Sequence, residues 1–192
     1  TLLHLGTYTA GGLPLQFPDA VAGNQAALAY YADWVPAAQP GIQRQYSNPS
    51  LGLFGLAASN ALGQGFAGAM ESIVFPAFGM VSTFINVPER AAAHYAWGYR
   101  GDKAVRVNPG PMDEQAYGVK TTAADMLRFI QGNIDPGALP GPMRRAVQLT
   151  HVGFFRAGPL VQGLGWEQYA YPPSREWLLG GNAAEMVLGP QP

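Results

Sequence analysis

The sequence predicts an α+β fold in which helices predominate and the strands are few and short. The strongest observation is a run at 49–62 that follows a helix-start signal and is apolar nearly all the way round, as a buried helix is. Apolar residues also recur at helical spacing in 24–34 and 121–133. Short stretches at 94–99 and 164–169 favour strands instead.

The composition limits what the chain can be. It has 192 residues, 48% of them apolar, and no linker divides it, so 1–192 is predicted to be a single partial domain. Charged residues reach only 12%, against roughly 25% in ordinary globular proteins, which indicates a face that packs on protein outside this chain. The net charge of -1 leaves no basic patch for nucleic acid, and no apolar run approaches the roughly 18 residues needed for membrane insertion.

Cysteine and histidine argue against a metal or thiol site. The absence of cysteine excludes a disulfide framework, a cysteine-based zinc site and a thiol nucleophile. His4, His94 and His151 are far apart in the sequence and lack ligand-like spacing. The adjacent acids Asp113 and Glu114 lie in a stretch rich in proline and glycine, where solvation is the ordinary state. We therefore expect neither a metal nor a cofactor.

The first forty-five residues alternate short helices with loops. Thr1 is a suitable cap for a short first helix. Two prolines make 13–18 an ordered loop. An amphipathic helix is predicted at 24–34, and residues 42–45 are then extended.

A group of polar residues stands between this extended segment and the apolar helix. Asn48 is predicted to be the N-cap and Pro49 the first helical residue, where its missing N–H costs nothing. Gly52 and Gly55 would let another backbone approach one face of the helix closely. The Tyr46 phenol and the Asn48 amide thus lie at the mouth of a rigid element, which suits a functional site. On these residues alone, a simple cap beside a packing tyrosine stays the commoner explanation.

Glycines end the apolar helix, and a second helix is predicted at 66–74 until Pro76 stops it. A weak strand is expected at 84–87. A long polar stretch from 88 to 118 follows, and two short strands are expected within it. Connections of this length without a helix tend to be functional.

The last third of the chain returns to regular structure. Residues 121–125 resemble a capping box and open the helix noted above. A further helix is predicted at 142–149, and strands are predicted at 153–156 and 164–169. Residues from 176 onward carry no clear pattern.

Several segments resemble the class C serine β-lactamases, the cephalosporinases, in order and over nearly all of the chain. They are Leu2 to Gln16, Tyr46-Ser47-Asn48, Gly52 to Gly55, Ala116 to Thr121 and Gln162 to Glu167. The resemblance implies the mostly helical, central portion of the serine β-lactamase / penicillin-binding (DD-peptidase) fold. It also implies a few short antiparallel strands and an Ω-loop at about 84–121, with most of the family's central sheet outside this segment.

The family's Y-x-N motif matches Tyr46 and Asn48. The resemblance implies that Tyr46 exchanges protons with a serine nucleophile and with the lactam nitrogen. It implies that Asn48 hydrogen-bonds the substrate's side-chain amide and a lysine. A free phenol has a pKa of about 10, so it needs nearby ammonium groups to act near neutral pH, and whether tyrosine or lysine is the base stays open. By the same resemblance Gln16 lines the site and Tyr117 forms a wall beside the substrate.

The family's other two motifs are missing from the sequence. No serine opens Ser-x-x-Lys, Lys103 precedes Ala104, and Lys120-Thr121-Thr122 only approaches Lys-Thr-Gly. We expect an internal fragment whose nucleophile lies outside it, and no β-lactam turnover by this chain alone. By resemblance the full-length protein is an exported, periplasmic monomer without cofactors, although no signal peptide stands in this segment. It would hydrolyse cephalosporins and penicillins through an acyl-serine intermediate and confer antibiotic resistance.

Two other functions stay open. A DD-peptidase or a serine esterase can share the architecture, because a fold does not fix a function. The third hypothesis is a short, non-catalytic binding module. It requires the chain to fold cooperatively alone and to bind a β-lactam or a protein partner without hydrolysing it.

Overall fold

The computed structural model describes residues 1–180 and 182–189. Its α-helices are α1 (Leu2–Gly6), α2 (Gly23–Asp33), α3 (Asn48–Leu62), α4 (Phe66–Ala69), α5 (Phe75–Ala77), α6 (Asp113–Tyr117), α7 (Ala123–Ile134), α8 (Gly141–Thr150) and α9 (Arg175–Gly180). Its strands are β1 (Arg44–Gln45), β2 (Gly98–Arg100), β3 (Lys103–Val105), β4 (Phe155–Ala157), β5 (Leu160–Gln162), β6 (Glu167–Tyr169) and β7 (Val187–Leu188). Helices predominate and the strand pairs among these residues are antiparallel, which confirms the α+β class.

The first two helices form where the sequence predicts them. Thr1 caps α1, since its Oγ1 accepts the His4 N–H at 3.4 Å. Helix α2 packs through one face, as predicted for Ala27, which is buried, and for Tyr31 and Trp34, which are half-buried. Leu28, predicted on the same face, is exposed. The Tyr31 ring packs edge-on against Phe17, with the ring centroids 5.5 Å apart. The helix therefore covers the preceding proline-rich loop rather than a core.

Helix α3 is buried on a face made of small residues. A Cβ added at Gly52 would lie 2.6 Å from Met112 Cβ, and one at Gly55 would lie 2.7 Å from Gln115 Cβ. The predicted close approach is therefore confirmed, and the partner is α6. The prediction that the whole helix is buried fails in its last turn, where Leu62 is 60% exposed.

Pro76 does not stop the second helix, contrary to the sequence prediction. The helical backbone continues from α4 through a π-helical turn at Met70–Val74 into α5. A π-turn shifts the hydrogen-bond ladder by one residue, so Pro76 enters at the start of α5, where a missing N–H is tolerated. Glu71 in this turn accepts the Ile85 N–H at 2.9 Å and the Asn86 N–H at 3.3 Å.

The long loop between residues 84 and 121 is joined at its two ends. The strand expected at 84–87 is reduced to one antiparallel pair, in which Phe84 and Lys120 exchange backbone hydrogen bonds of 2.9 and 2.8 Å. Within the loop, β2 and β3 form a hairpin near the predicted strands, and a 3₁₀ turn covers Glu89–His94. The expectation of a stretch without α-helix is wrong, because α6 lies in it.

The main apolar core lies between α5, α7 and α8. Thr122 opens α7 as the capping box predicts, since its Oγ1 accepts the Asp125 N–H at 3.2 Å. Phe129 of α7 packs on Phe78 with ring centroids 5.0 Å apart. We call the buried group the apolar cluster; its members are Phe75, Phe78, Met80, Ile85, Leu139 and Val147.

The strands form three small sheets in the described residues. β4, β5 and β6 make a meander, and β5 is a strand that the sequence did not predict. β1 pairs with β7, with Arg44 opposite Leu188, so the segment before α3 is joined to the far end of the chain. Residues 1–180 and 182–189 contain no helix that is both long and apolar enough to cross a bilayer.

Candidate active site

The start of α3 differs from the sequence prediction in its cap. Ser47 is the N-cap, not Asn48: its backbone is extended and its Oγ accepts the Ser50 N–H at 3.0 Å. Asn48 and Pro49 are the first two helical residues. A serine hydroxyl is short enough to turn back on the helix, and this leaves the Asn48 amide outside the cap. The Asn48 side chain is therefore available for another partner.

The predicted site residues near this helix end come from two separate segments. Tyr46 and Asn48 flank the Ser47 cap, and both are half-buried. The Asn48 N–H donates to the Leu15 carbonyl at 3.0 Å, which fixes the proline-rich loop against the helix start. Gln16 follows directly and is exposed. The structure thus brings Tyr46, Asn48 and the Gln16 segment together.

Tyr117 stands farther along α3. It ends α6. Met112, just before that helix, and Gln115 within it lie against Gly52 and Gly55. Gly55 is seven residues, or about 10 Å, beyond Asn48. The Tyr117 hydroxyl lies 2.7 Å from a Cβ built on Gly110, so the ring points back along α6. Burial, followed by the Asp113 carboxylate, raises the pKa of Tyr117. The contacts do not bring Tyr117 to the helix end itself.

A cavity of about 450 Å³ adjoins Tyr117 on the side of the long loop. Its wall includes Ile85, Asn86 and Lys120 from the joined loop ends. The Lys120 ammonium group donates to the Ile85 carbonyl at 2.9 Å. This lysine, which approaches a Lys-Thr-Gly motif in the sequence, therefore holds the loop.

A set of polar residues packs next to Tyr46, and the sequence analysis did not predict it. We call it the polar cluster; its members are Tyr8, Arg44, Gln162 and Glu167. Arg44 is fully buried, and its Nε donates to Gln162 Oε1 at 2.7 Å while its Nη2 donates to Glu167 Oε1 at 2.7 Å. The same Nη2 donates to Asn182 Oδ1 at 2.8 Å.

The polar cluster reaches the site through tyrosine rings. The Arg44 guanidinium lies 5.1 Å from the centroid of the Tyr8 ring, and the Tyr8 centroid lies 4.8 Å from that of Tyr46. On the other side, the Tyr169 hydroxyl donates to Glu167 Oε2 at 2.8 Å. Burial, then this carboxylate, raises the pKa of Tyr169 to about 12. The signal in the sequence was an arginine two residues before Tyr46, inside a segment predicted to be extended.

The histidines do not gather into a site. His151 lies against the Trp166 ring, and its Nε2 is 3.2 Å from Asn133 Oδ1. His4 is on α1, and His94 ends the 3₁₀ turn of the long loop. In the part of the chain that the structure describes, three or more His, Cys, Asp or Glu residues nowhere form a group that could hold a metal ion.

Known proteins are similar to this chain over nearly its whole length. The family model described as Beta-lactamase matches residues 1–187. A curated Beta-lactamase of Pseudomonas fluorescens is 47% identical over 99% of this chain and 53% of its own length. A Beta-lactamase of Escherichia coli (strain K12) is 44% identical over 100% of this chain and 51% of its own length.

A solved structure shares the fold. It is described as Beta-Lactamase/D-Alanine Carboxypeptidase from Pseudomonas syringae, matches with a TM-score of 0.90 and 42% identity, and covers 98% of this chain and 54% of its own. The chain therefore spans about half the length of the relatives it matches. Since the family model matches nearly every residue, the chain belongs to the beta-lactamase family.

Proposed function

We propose that this chain is the central part of a β-lactam hydrolase that works through an acyl-serine intermediate. The proposal rests on the positions of Tyr46 and Asn48, which lie on either side of the buried Ser47 cap in a chain of this family. A phenol and an amide held on a rigid helix end are suited to exchange a proton and to orient an amide substrate. The nucleophile and its lysine, S-x-x-K, are not in this sequence.

The proposed roles are those that the family resemblance implies, and the positions of the side chains are compatible with them. Tyr46 receives the proton of the serine hydroxyl as it attacks the lactam carbonyl and passes a proton to the lactam nitrogen as the ring opens. Asn48, whose side-chain amide is not used to cap the helix, holds the amide of the substrate's side chain. Gln16 lies exposed beside the helix start, and Tyr117 forms a wall along it.

We extend the proposal to a class C enzyme that acts on cephalosporins and penicillins as a periplasmic monomer and confers resistance. Its support is the run of sequence segments that resemble the cephalosporinases, Gln162 to Glu167 among them. This segment is connected to the candidate site, because Gln162 and Glu167 accept hydrogen bonds from Arg44, two residues before Tyr46.

A hybrid protein tests the proposal. Residues 1–187 of this chain replace the matching half of the Escherichia coli Beta-lactamase, and the rates with a cephalosporin and a penicillin are measured. We expect turnover, and we expect Tyr46→Phe to lower kcat by about 100-fold or more, the scale of a lost acid–base group. The exposed Tyr99→Phe is the matched control and should leave the rates unchanged. A folded hybrid that hydrolyses neither compound would contradict the proposal.

A second candidate is the DD-peptidase, since the solved Pseudomonas syringae neighbour is described as both a Beta-Lactamase and a D-Alanine Carboxypeptidase. The same hybrid is assayed with a D-Ala-D-Ala peptide and with a simple ester, which also tests the serine-esterase alternative. Fast peptide or ester cleavage together with stable acylation by penicillin would favour these activities over the lactamase.

The isolated chain tests the non-catalytic alternative. Large apolar side chains are exposed along it, among them Ile134 at 79% and Val35 at 81%. We expect the chain alone to show no turnover, because it lacks the nucleophile motif. We also expect a broad, dye-binding thermal transition, because these apolar side chains are exposed to solvent. A sharp transition together with tight β-lactam binding and no hydrolysis would favour a binding module.

A further inference from the structure

The Tyr8 ring contacts the Tyr46 ring, and no role in the proposed reaction has been assigned to Tyr8. Its side chain is 5% exposed, and the two ring planes meet at 46° with their centroids 4.8 Å apart. The half-buried Tyr46 ring therefore has the Tyr8 ring against its inner side. Contact between aromatic rings in such a tilted arrangement is attractive beyond simple burial.

The backbone holds Tyr8 in an unusual conformation. Its φ is +58°, in the left-handed region, a strained conformation for a residue with a Cβ that persists only where the surrounding structure enforces it. On either side, the buried hydroxyls of Thr7 and Thr9 are hydrogen-bonded to each other at 2.9 Å. The Tyr8 carbonyl accepts the Gln45 N–H at 3.0 Å. The turn is thus tied to the residue that precedes Tyr46.

Arg44 lies over the Tyr8 ring. Its guanidinium is 5.1 Å from the ring centroid, within the range of a cation–π contact. Hydrogen bonds to Gln162 and Glu167, both 2.7 Å long, fix the plane of the guanidinium. The Tyr8 ring therefore contacts both a fixed cation and the Tyr46 ring.

Tyr8 is electrostatically unsuited to exchange protons itself. Burial, and then the neighbouring Tyr46, raise the pKa of the Tyr8 phenol far above its usual range. The neutral form of the phenol is therefore favoured at this buried position. The ring contact with Tyr46 indicates instead a contribution to the geometry of Tyr46.

We propose that Tyr8 is a positioning residue whose ring, held by Arg44, keeps the Tyr46 ring in the single orientation that places its hydroxyl at the reacting atoms. The inference deepens the proposed function and rests on it for the effect on turnover. The orientation of the Tyr46 ring is a separate matter, which can be measured without any substrate.

The first test is spectroscopic. The hybrid protein is labelled with 3-fluorotyrosine, and the Tyr46 signal is assigned by its loss in Tyr46→Phe. We expect one sharp fluorine signal in the parent and in Tyr8→Phe, which keeps the ring. In Tyr8→Leu we expect a broadened or divided signal, since the Tyr46 ring then has several orientations. The control Tyr171→Leu, at a site 94% exposed, should leave the signal unchanged.

The second test is kinetic. A small displacement of a reacting group costs far more in kcat than in binding, so Tyr8→Leu should lower kcat about tenfold or more and change KM little. Tyr8→Phe should retain most of the activity. Unfolding transitions measured beside the rates separate this effect from a loss of folded protein.

The outcomes are distinguishable from those of the proposed function. A sharp, unchanged Tyr46 signal in Tyr8→Leu overturns the inference even if the hybrid hydrolyses β-lactams. A broadened signal supports the positioning of Tyr46 even if the hybrid is inactive. Should Tyr8→Leu fail to fold, Arg44→Lys is the second variant: it keeps the charge, loses the planar contact, and should broaden the same signal. An unchanged signal there overturns the inference.

Discussion

The apolar cluster and the polar cluster are both buried, yet different forces hold them. The apolar cluster gathers phenylalanines and aliphatic side chains from α5, α8 and the turns nearby, and burial alone stabilises it. The polar cluster places the fully buried Arg44 among partners that must each meet it at hydrogen-bond distance. The first tolerates exchange of one apolar residue for another. The polar cluster depends on the directions of its hydrogen bonds, and it contacts the candidate site through the Tyr8 and Tyr46 rings.

The largest expected effect is at the arginine. Arg44→Gln should lower the free energy of unfolding of the hybrid protein by about 3 to 5 kcal/mol, because it leaves the Glu167 carboxylate without its cation. Urea unfolding measures the change. The double variant Arg44→Gln with Glu167→Gln removes that orphaned charge and should recover part of the loss. A double variant no more stable than the single one would show that the charge pair is not the reason.

The matching change in the apolar cluster is Ile85→Ala. Ile85 is fully buried, so the variant should lose about 2 to 5 kcal/mol from the removed side chain and the cavity that remains. Ile85→Val should lose only about 0.5 to 1.5 kcal/mol, because most of the contact stays. Kinetic constants measured on the folded protein should stay near the parent value for both. A specific loss of kcat would mean that the two clusters are coupled.

The contact between α3 and α6 depends on the absence of a side chain. A Cβ at Gly55 would lie 2.7 Å from Gln115 Cβ, so Gly55→Ala should lower the free energy of unfolding by about 1 to 3 kcal/mol through overpacking. Gly68→Ala is the matched control, since the nearest atom to its Cβ would be a side-chain oxygen at 3.9 Å. It should be neutral or stabilising, because alanine favours a helix.

Alkaline pH should affect the polar cluster, through Tyr169, whose hydroxyl is bonded to Glu167, before it affects the apolar cluster, which has no titratable group. The pKa of Tyr169 is raised to about 12 by burial and the Glu167 carboxylate, above the value of about 10 expected in the unfolded chain. The resulting stability is present below pH 10 and is lost as pH rises through the folded pKa. Urea midpoints above pH 10 should therefore fall, and Tyr169→Phe should reduce that fall. A slope identical in the variant would contradict this assignment.

Local signals explain what the sequence could predict. Helix α3 was predicted almost to the residue, because the Asn48-Pro49 start and the left-handed Gly63 end lie within its own sequence. The helix α7 followed from its capping box in the same way. Strand β5 has three residues and exists because two neighbours pair with it, so no local pattern marks it.

Long-range contacts explain what the sequence could not predict. Tyr46 and Asn48 were singled out by their place at the start of the apolar helix and received their roles from the family resemblance, but the Ser47 cap between them was not predicted. The polar cluster joins residues 8 and 44 to residues 162 and 167, which lie more than a hundred positions farther along the chain. The spacing of apolar and polar residues along the sequence does not reveal such long-range contacts. A buried arginine is visible only when its partners are in place.

The joined ends of the long loop have an evolutionary consequence. Phe84 and Lys120 exchange two backbone hydrogen bonds, and Glu71 and the Lys120 ammonium group hold the neighbouring Ile85. The residues between Phe84 and α6, which include the 3₁₀ turn and the β2–β3 hairpin, therefore form an appendage whose length can change while α6 stays packed on α3. Doubling the length of a flexible loop costs only about 0.6 kcal/mol. Insertions and deletions in this appendage can thus be inherited and selected while Tyr46 and Asn48 stay where they are.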